Sequence, residues 1–306
     1  MATETHADRS LVPGIERPAA VATTRRPASV RNIASRIGFF ILLIFFTILF
    51  IYPFIWLISA SLKPGADVFN GELIPDPVMW ENYSRLFQLT SMAQWSLNSL
   101  IVSFLAAITV TFSSALVAFA FAYFRFPYRN AVFGIVLASM MLPGAVTMIP
   151  NFLIWNALGW VNTLVPLWAG NLFASPFYIF LLRQFFLGLP RELFDAARVD
   201  GANYLRMWWS VAMPLTRAAL IVVFVFELKA AWTDLVKPLI FLRDVSLFTL
   251  PRGLKAVIDN PSIGGERHFE LLAVGGVIVT VPMIIVFFLG QRYFLEGIAT
   301  TGSTGR

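Results

Sequence analysis

The sequence contains no cysteine and only two histidines, His6 and His268. The first absence excludes disulfides, iron–sulfur centres and thiolate metal sites. The second leaves no His-rich metal motif, and neither a metal nor another cofactor is expected. Charge is scarce too: 13% of the 306 residues are Asp, Glu, Lys or Arg, against about 25% in a soluble domain. No G-x-x-x-x-G-K-[ST] phosphate loop occurs, and none of Lys63, Lys229, Lys237 and Lys255 is followed by Ser or Thr. The chain is therefore expected to have no ATP site of its own. H-E-x-x-H and G-x-S-x-G are also missing, which removes two common catalytic signatures. No residue is marked as catalytic.

Apolar surface is what the chain has in excess. It is 58% hydrophobic, with 30 Phe and 9 Trp, and its mean hydropathy is +0.74. A bilayer accepts such surface from every direction, whereas a water-soluble fold cannot hide it. Six segments, near 37–62, 97–123, 132–154, 164–182, 217–241 and 271–293, each suit a crossing of ~30 Å by about 20 helical residues. The expected fold is all-α, a polytopic membrane protein of about six transmembrane helices spanning 37–294. A Pro-, Thr-, Ala- and Arg-rich tail precedes it at 1–36, and a short tail follows at 295–306. Arg25-Arg26 resembles a twin-arginine export signal, but the apolar run after it is too long for a signal h-region.

The net charge of +6 follows topology and does not call for a nucleic-acid partner. With the N-terminus inside, Arg25, Arg26, Arg31, Arg36, Arg125, Arg129, Arg183, Arg191, Arg198, Arg206 and Arg217 all fall on inner segments. The positive-inside rule then places both termini in the cytoplasm. The second helix carries Ser99, Ser103, Ala107, Thr111 and Ala115 at four-residue spacing. Small residues on one stripe let helix backbones approach closely, either within this bundle or against a sister subunit. Outer loops at 63–94 and 243–270 are rich in turn residues.

The inner segment 189–214 is the most informative. Pro190 suits a first helical position and Glu192 the positive helix end. Leu193, Ala196 and Ala197 follow at i, i+3, i+4. Asp200-Gly201 then supplies a stop, with Gly free to turn left-handed. A second helical stretch leads to Pro214. A helix lying on lipid would show bulky apolar residues against a basic face. Acids and small alanines instead suit docking into a groove on another protein.

This segment resembles the EAA loop of bacterial ABC importer permeases, which runs E-A-A, three residues, G, nine residues, I-x-L-P. Asp195, Ala196, Ala197, Gly201, Val211, Met213 and Pro214 stand at those positions. Asp replaces Glu, Val replaces Ile and Met replaces Leu. Further blocks are similar to carbohydrate-type permeases in the same order, among them Met141-Leu142-Pro143, Arg183-Gln184-Phe185-Phe186 and Trp232-Thr233-Asp234. The chain looks most like the second membrane subunit of maltose-type importers. That resemblance implies a type I importer permease fold in a bacterial inner membrane. It also implies a pair of separate ATPase subunits, a second permease and an extracytoplasmic solute-binding protein. Glu192, Asp195, Ala196, Ala197, Asp200, Gly201 and Pro214 would form the ATPase-coupling site. The implied solute is a sugar or oligosaccharide, with a glycerol-phosphate compound or another polar solute as the alternative.

The fifth helix is expected to carry charge into the membrane. Glu227, Lys229, Trp232 and Asp234 are candidates for the translocation path, because intramembrane charges usually face a cavity or a charged partner. Glu227 and Asp234, seven apart, would share a face, and Lys237 could pair with Asp234 at i, i+3. The alternatives are an internal ion pair, or a helix that starts later than placed here.

Overall fold

The computed structural model describes residues 30–260 and 268–302. Most of the expected N-terminal tail, the stretch 261–267 of the last outer loop and the final residues 303–306 lie outside them. The chain divides into two units, one ending at Tyr52 and one beginning at Pro53. The boundary falls at the internal proline of the first helix.

Among the described residues there is no strand. Helix α1 (Val30–Ser61) begins before Ile37, so the expected tail and the first helix overlap. In the first unit its bulky side chains, Ile37 to Ile51, are exposed. The second unit begins with the rest of α1 and continues into α2 (Glu81–Leu89) and the 32-residue α3 (Met92–Tyr123). Then come α4 (Arg129–Ser139) and α5 (Gly144–Ala157), two 3-10 turns, and α6 (Pro176–Leu187). Next are α7 (Arg191–Val199), α8 (Tyr204–Met207), a π-turn, α9 (Met213–Leu215) and α10 (Arg217–Trp232). The chain ends with α11 (Val236–Phe241), α12 (Leu250–Asp259) and α13 (Phe269–Gly302). Helix α13 thus runs through most of the expected C-terminal tail.

Helix α3 is the axis of the second unit, packed along α10 and α6. Ser99, Ser103, Ala107, Thr111 and Ala115 are all buried inside the chain. The small-residue stripe is therefore occupied by internal packing. Ala219 and Val223 of α10 are buried alongside it. At the N-terminal end of α3, Trp95, Leu167, Trp232, Phe241, Phe248 and Leu271 form one core. At the C-terminal end, Phe119, Phe121, Phe186, Phe194, Met207 and Trp208 form another.

Among the described residues, three helices are long and apolar enough to cross a bilayer: Ser35–Ser61, Met92–Tyr123 and Phe269–Tyr293. Two further apolar pairs are sharply bent, each a broken span or a re-entrant loop. α4 and α5 meet at 96°, and Tyr204–Leu215 meets α10 at 83°. The expected continuous span 132–154 is thus broken at Met140–Pro143, where Pro143 and Gly144 oppose helix continuation. The expected span 164–182 is also not one helix. Pro166 and Pro176 remove backbone donors, and the chain passes through turns at Val165–Leu167 and Ala169–Phe173. Ala174 there takes φ 64°. Irregular backbone at membrane depth survives only where protein satisfies it. Helix α3 does so: Ser113 Oγ donates to the Asn171 carbonyl at 2.7 Å, and Ser114 Oγ accepts from the Ser175 N–H at 3.0 Å. The expected span 217–241 stops at Trp232.

Among the described residues, the loops expected on the outer side are tied down by more bonds than their turn residues suggest. Lys63 is buried, with Nζ donating to Asn70 Oδ1 and the Glu72 carbonyl. Asn98 Nδ2 donates to the carbonyls of Ser246 at 2.8 Å and Phe248 at 2.9 Å, and Ser99 Oγ accepts from the Leu250 N–H. These bonds hold α12 on α3. Gly253 is required there, because a Cβ would sit 2.1 Å from the Trp95 ring.

Candidate functional site

Helix α7 is a nine-residue knob with defined ends. Pro190 precedes it, Glu192 lies in its first turn and Arg198 in its last, each matching the helix dipole. Its stop is a Schellman turn. Gly201, at φ 78°, donates to the Arg198 carbonyl at 3.1 Å, and Ala202 N–H donates to the Ala197 carbonyl at 2.9 Å.

One aromatic side chain seats the knob. Phe194 is buried, with ring centroids 5.9 Å from Phe119 and 5.3 Å from Tyr123 at the end of α3. Tyr204 closes the other side, 4.9 Å from Phe124, and accepts from Arg198 Nη2 at 2.6 Å. Glu192, Asp195, Ala196, Asp200 and Gly201 are exposed, whereas Ala197 turns half inward against the core. The face expected from Leu193, Ala196 and Ala197 is therefore split, because Phe194 takes the inward direction. Val199, 88% exposed, stands uncovered beside the acids.

The knob is joined to α10 through a bent corner. Asn203 Oδ1 accepts from the Arg206 N–H at 2.8 Å and starts α8. Pro214, exposed, has no N–H to give the preceding turn, and the chain widens into a π-turn at Trp208–Ala212. At Thr216 the chain bends by 83° into α10. Thr216 is buried there, with Oγ donating to the Ala212 carbonyl at 2.8 Å.

The four candidate path residues are not brought together. Glu227 is half-buried and accepts from Asn171 Nδ2 at 2.6 Å, with Tyr178 beside it. Lys229 lines a different cavity, about 620 Å³, with Phe54, Val225, Thr280 and Met283. Trp232 is buried, and its indole N–H is used on the Val279 carbonyl at 3.0 Å. Asp234 lies past the end of α10 and shares no helix face with Glu227. Its Oδ1 accepts from the N–H groups of Val236 and Lys237 at 2.9 and 3.2 Å, starting α11. The expected Lys237–Asp234 pair is present at 3.9 Å.

Residues 114–299 match the family described as binding-protein-dependent transport system inner membrane component. The chain belongs to that family. This permease is 30% identical to the arabinooligosaccharides transport system permease protein AraQ of Bacillus subtilis (strain 168), over 90% of the chain and 97% of the relative. It is 31% identical to the sn-glycerol-3-phosphate transport system permease protein UgpE of Yersinia pestis, over 84% and 94%. Among solved structures it resembles a chain of a bacterial ABC transporter involved in the import of the acidic polysaccharide alginate. The TM-score is 0.75 at 26% identity, covering 88% of this chain and 99% of that one. A chain from the alginate transporter in complex with alginate pentasaccharide-bound periplasmic protein shares the fold, with TM-score 0.63 at 16% identity over 86% and 94%.

Four contributors to the permease's site were not singled out from its sequence. Phe194 sits inside the motif segment, but helical phase alone does not say which apolar residue faces in. Ser113 and Ser114 lie next to the small-residue stripe and look like ordinary members of it. Asn171 is a lone polar residue in an apolar stretch, and that is the one signal that pointed to a buried partner.

Proposed function

We propose that this permease is one membrane half of an ATP-driven importer for a sugar or oligosaccharide. The observation that carries the reading is the exposed acidic-and-alanine face of α7, seated by Phe194 and joined to α10 across the 83° corner. ATP is hydrolysed by a separate pair of subunits, one of which receives α7 in a surface cleft. A second permease completes the membrane part, and an extracytoplasmic binding protein delivers the solute. Glu192, Asp195, Ala196, Ala197, Asp200 and Gly201 form the contact, with Pro214 shaping the corner behind them. Both termini lie in the cytoplasm.

Closure of the ATPase pair shifts the permease only if it binds the two permease states with different free energy. A knob held by backbone hydrogen bonds and a buried ring transmits that difference to α10. The sugar reading is supported by what the names of AraQ and the alginate transporter say of those proteins. Glycerol-phosphate is the competing solute, favoured by UgpE's name, with Lys229, an exposed basic residue whose side chain borders the apolar cavity, as the candidate for a phosphate contact.

The natural absence of cysteine makes the test direct. Ala196→Cys in the assembled transporter should crosslink to the ATPase subunit, and vanadate should block uptake. Failure to crosslink to any ATPase subunit while uptake continues sinks the coupling assignment. A thermal-shift screen of the cognate binding protein with sugars and glycerol-3-phosphate identifies the solute class.

A further inference from the structure

The turn between α3 and α4 surrounds a cavity of about 320 Å³ lined by Arg125, Phe126, Tyr128, Arg129, Asn130 and Ala131. A third cation, outside the lining itself, stands beside this turn and comes from a distant part of the chain. Arg183 projects from α6 and stacks 4.2 Å above the Phe133 ring of α4, one helical turn along from Arg129. Its Nε donates to the Phe121 carbonyl at 3.5 Å. Arg129 Nη1 donates to the Phe124 carbonyl at 3.2 Å. Each of these two guanidiniums is thus held through one nitrogen and leaves others open. None of the three arginines has a carboxylate within ion-pair distance among the described residues.

The carbonyls at the end of α3 take one nitrogen from each of Arg129 and Arg183, and the nitrogens left over, with no acid among them, suit an anion. A guanidinium matches phosphate oxygens two at a time. The positive-inside rule accounts for cations on the connecting loop. It does not account for one brought beside that loop from another helix. Exposed Phe126 and Tyr128 flank the cavity, and aromatic residues are favoured at the headgroup level of a bilayer. Basic pockets between membrane helices on the cytoplasmic side are suited to anionic headgroups.

We propose that Arg125, Arg129 and Arg183 hold the phosphate headgroup of an anionic phospholipid of the inner leaflet. The site rests on the cytoplasmic placement of residues 124–130 given above, and it is separate from the α7 contact.

The test uses the complete importer in nanodiscs of phosphatidylcholine containing a minority of phosphatidylglycerol. Lipid retained after detergent extraction is read by native mass spectrometry. Arg129→Gln and Arg183→Gln should each lower phosphatidylglycerol retention about five-fold, the order that one basic residue near an anionic surface supplies. Arg292→Gln, which removes an equal charge elsewhere, should leave it unchanged. Arg183→Lys keeps the charge and should retain more lipid than Arg183→Gln, which separates a packing defect from a lost headgroup contact. The proposal is overturned if Arg292→Gln is as damaging as Arg129→Gln, if phosphatidylcholine is retained equally, or if inorganic phosphate displaces the lipid. Labelling of Asn130→Cys by an impermeant maleimide from either side reads the orientation independently. A wrong orientation and an absent lipid site therefore give different results.

Discussion

Gly201 gives the sharpest test of the coupling assignment. Its φ of 78° lies in the left-handed region, and an added Cβ would meet nothing within 4 Å. A side chain there disturbs no neighbour in the chain, so its cost to folding is the backbone conformation alone, about 1–2 kcal/mol. Asn and Asp tolerate that region better than other non-glycine residues. The Schellman bonds use backbone N–H groups and survive either substitution. Gly201→Asp and Gly201→Asn should therefore insert and assemble at near wild-type levels. Docked against an ATPase cleft, however, the new side chain would project into the partner. Uptake in proteoliposomes should fall at least ten-fold for the Asp variant, equivalent to about 1.4 kcal/mol at the limiting step. ATPase activity should no longer respond to loaded binding protein. The Asn variant separates fold from fit, because a glycine that served only to end α7 would be replaced by Asn at little loss. Wild-type uptake in either variant, with the complex intact, refutes the assignment.

Phe194→Ala should destabilise the knob by roughly 3–5 kcal/mol and uncouple ATP hydrolysis from uptake, with Phe194→Leu milder, as judged by limited proteolysis near 190–204 and by transport. Gly253→Ala should cost about 1–3 kcal/mol by overpacking Trp95, seen as a lower Tm of the purified complex with little change in apparent KM. Asp234→Ala should lose the start of α11, about 0.5–2 kcal/mol, while Asp234→Asn keeps it. If Asp234 also meets solute, both variants should raise the apparent KM for uptake, and an unchanged KM in both would remove it from the path.

The membrane class and the short helix α7 with its left-handed stop were readable because both rest on local signals. Long apolar runs set the crossings, and fixed spacing placed Asp195 to Gly201 and Pro214. Gly201 could be assigned a left-handed turn because few other residues take that conformation cheaply. The broken crossings were less readable. Hydropathy sums over a window and is blind to whether Pro143, Pro166 and Pro176 stop a helix or merely bend it. That outcome depends on partners elsewhere, such as Ser113 and Ser114 of α3, which satisfy the backbone freed at Asn171 and Ser175. The charges of α10 were misjudged for a related reason. Helical phase put Glu227 and Asp234 on one face, but α10 ends at Trp232, and phase has no meaning across a break.

The corner at Thr216 has a mechanical consequence. Its N–H and hydroxyl both bond to the Ala212 carbonyl behind it, and its own carbonyl accepts from Leu220 ahead of it. These bonds tie the buried elbow residue to the turn on each side of it, so the two segments are joined through one anchored residue. Sideways displacement of the segment before the corner is then delivered to the 16-residue α10 as tilt. A glycine at this position would keep the two backbone bonds but lose the hydroxyl bond and gain backbone freedom, which would let the segment before the corner swing while α10 stayed still.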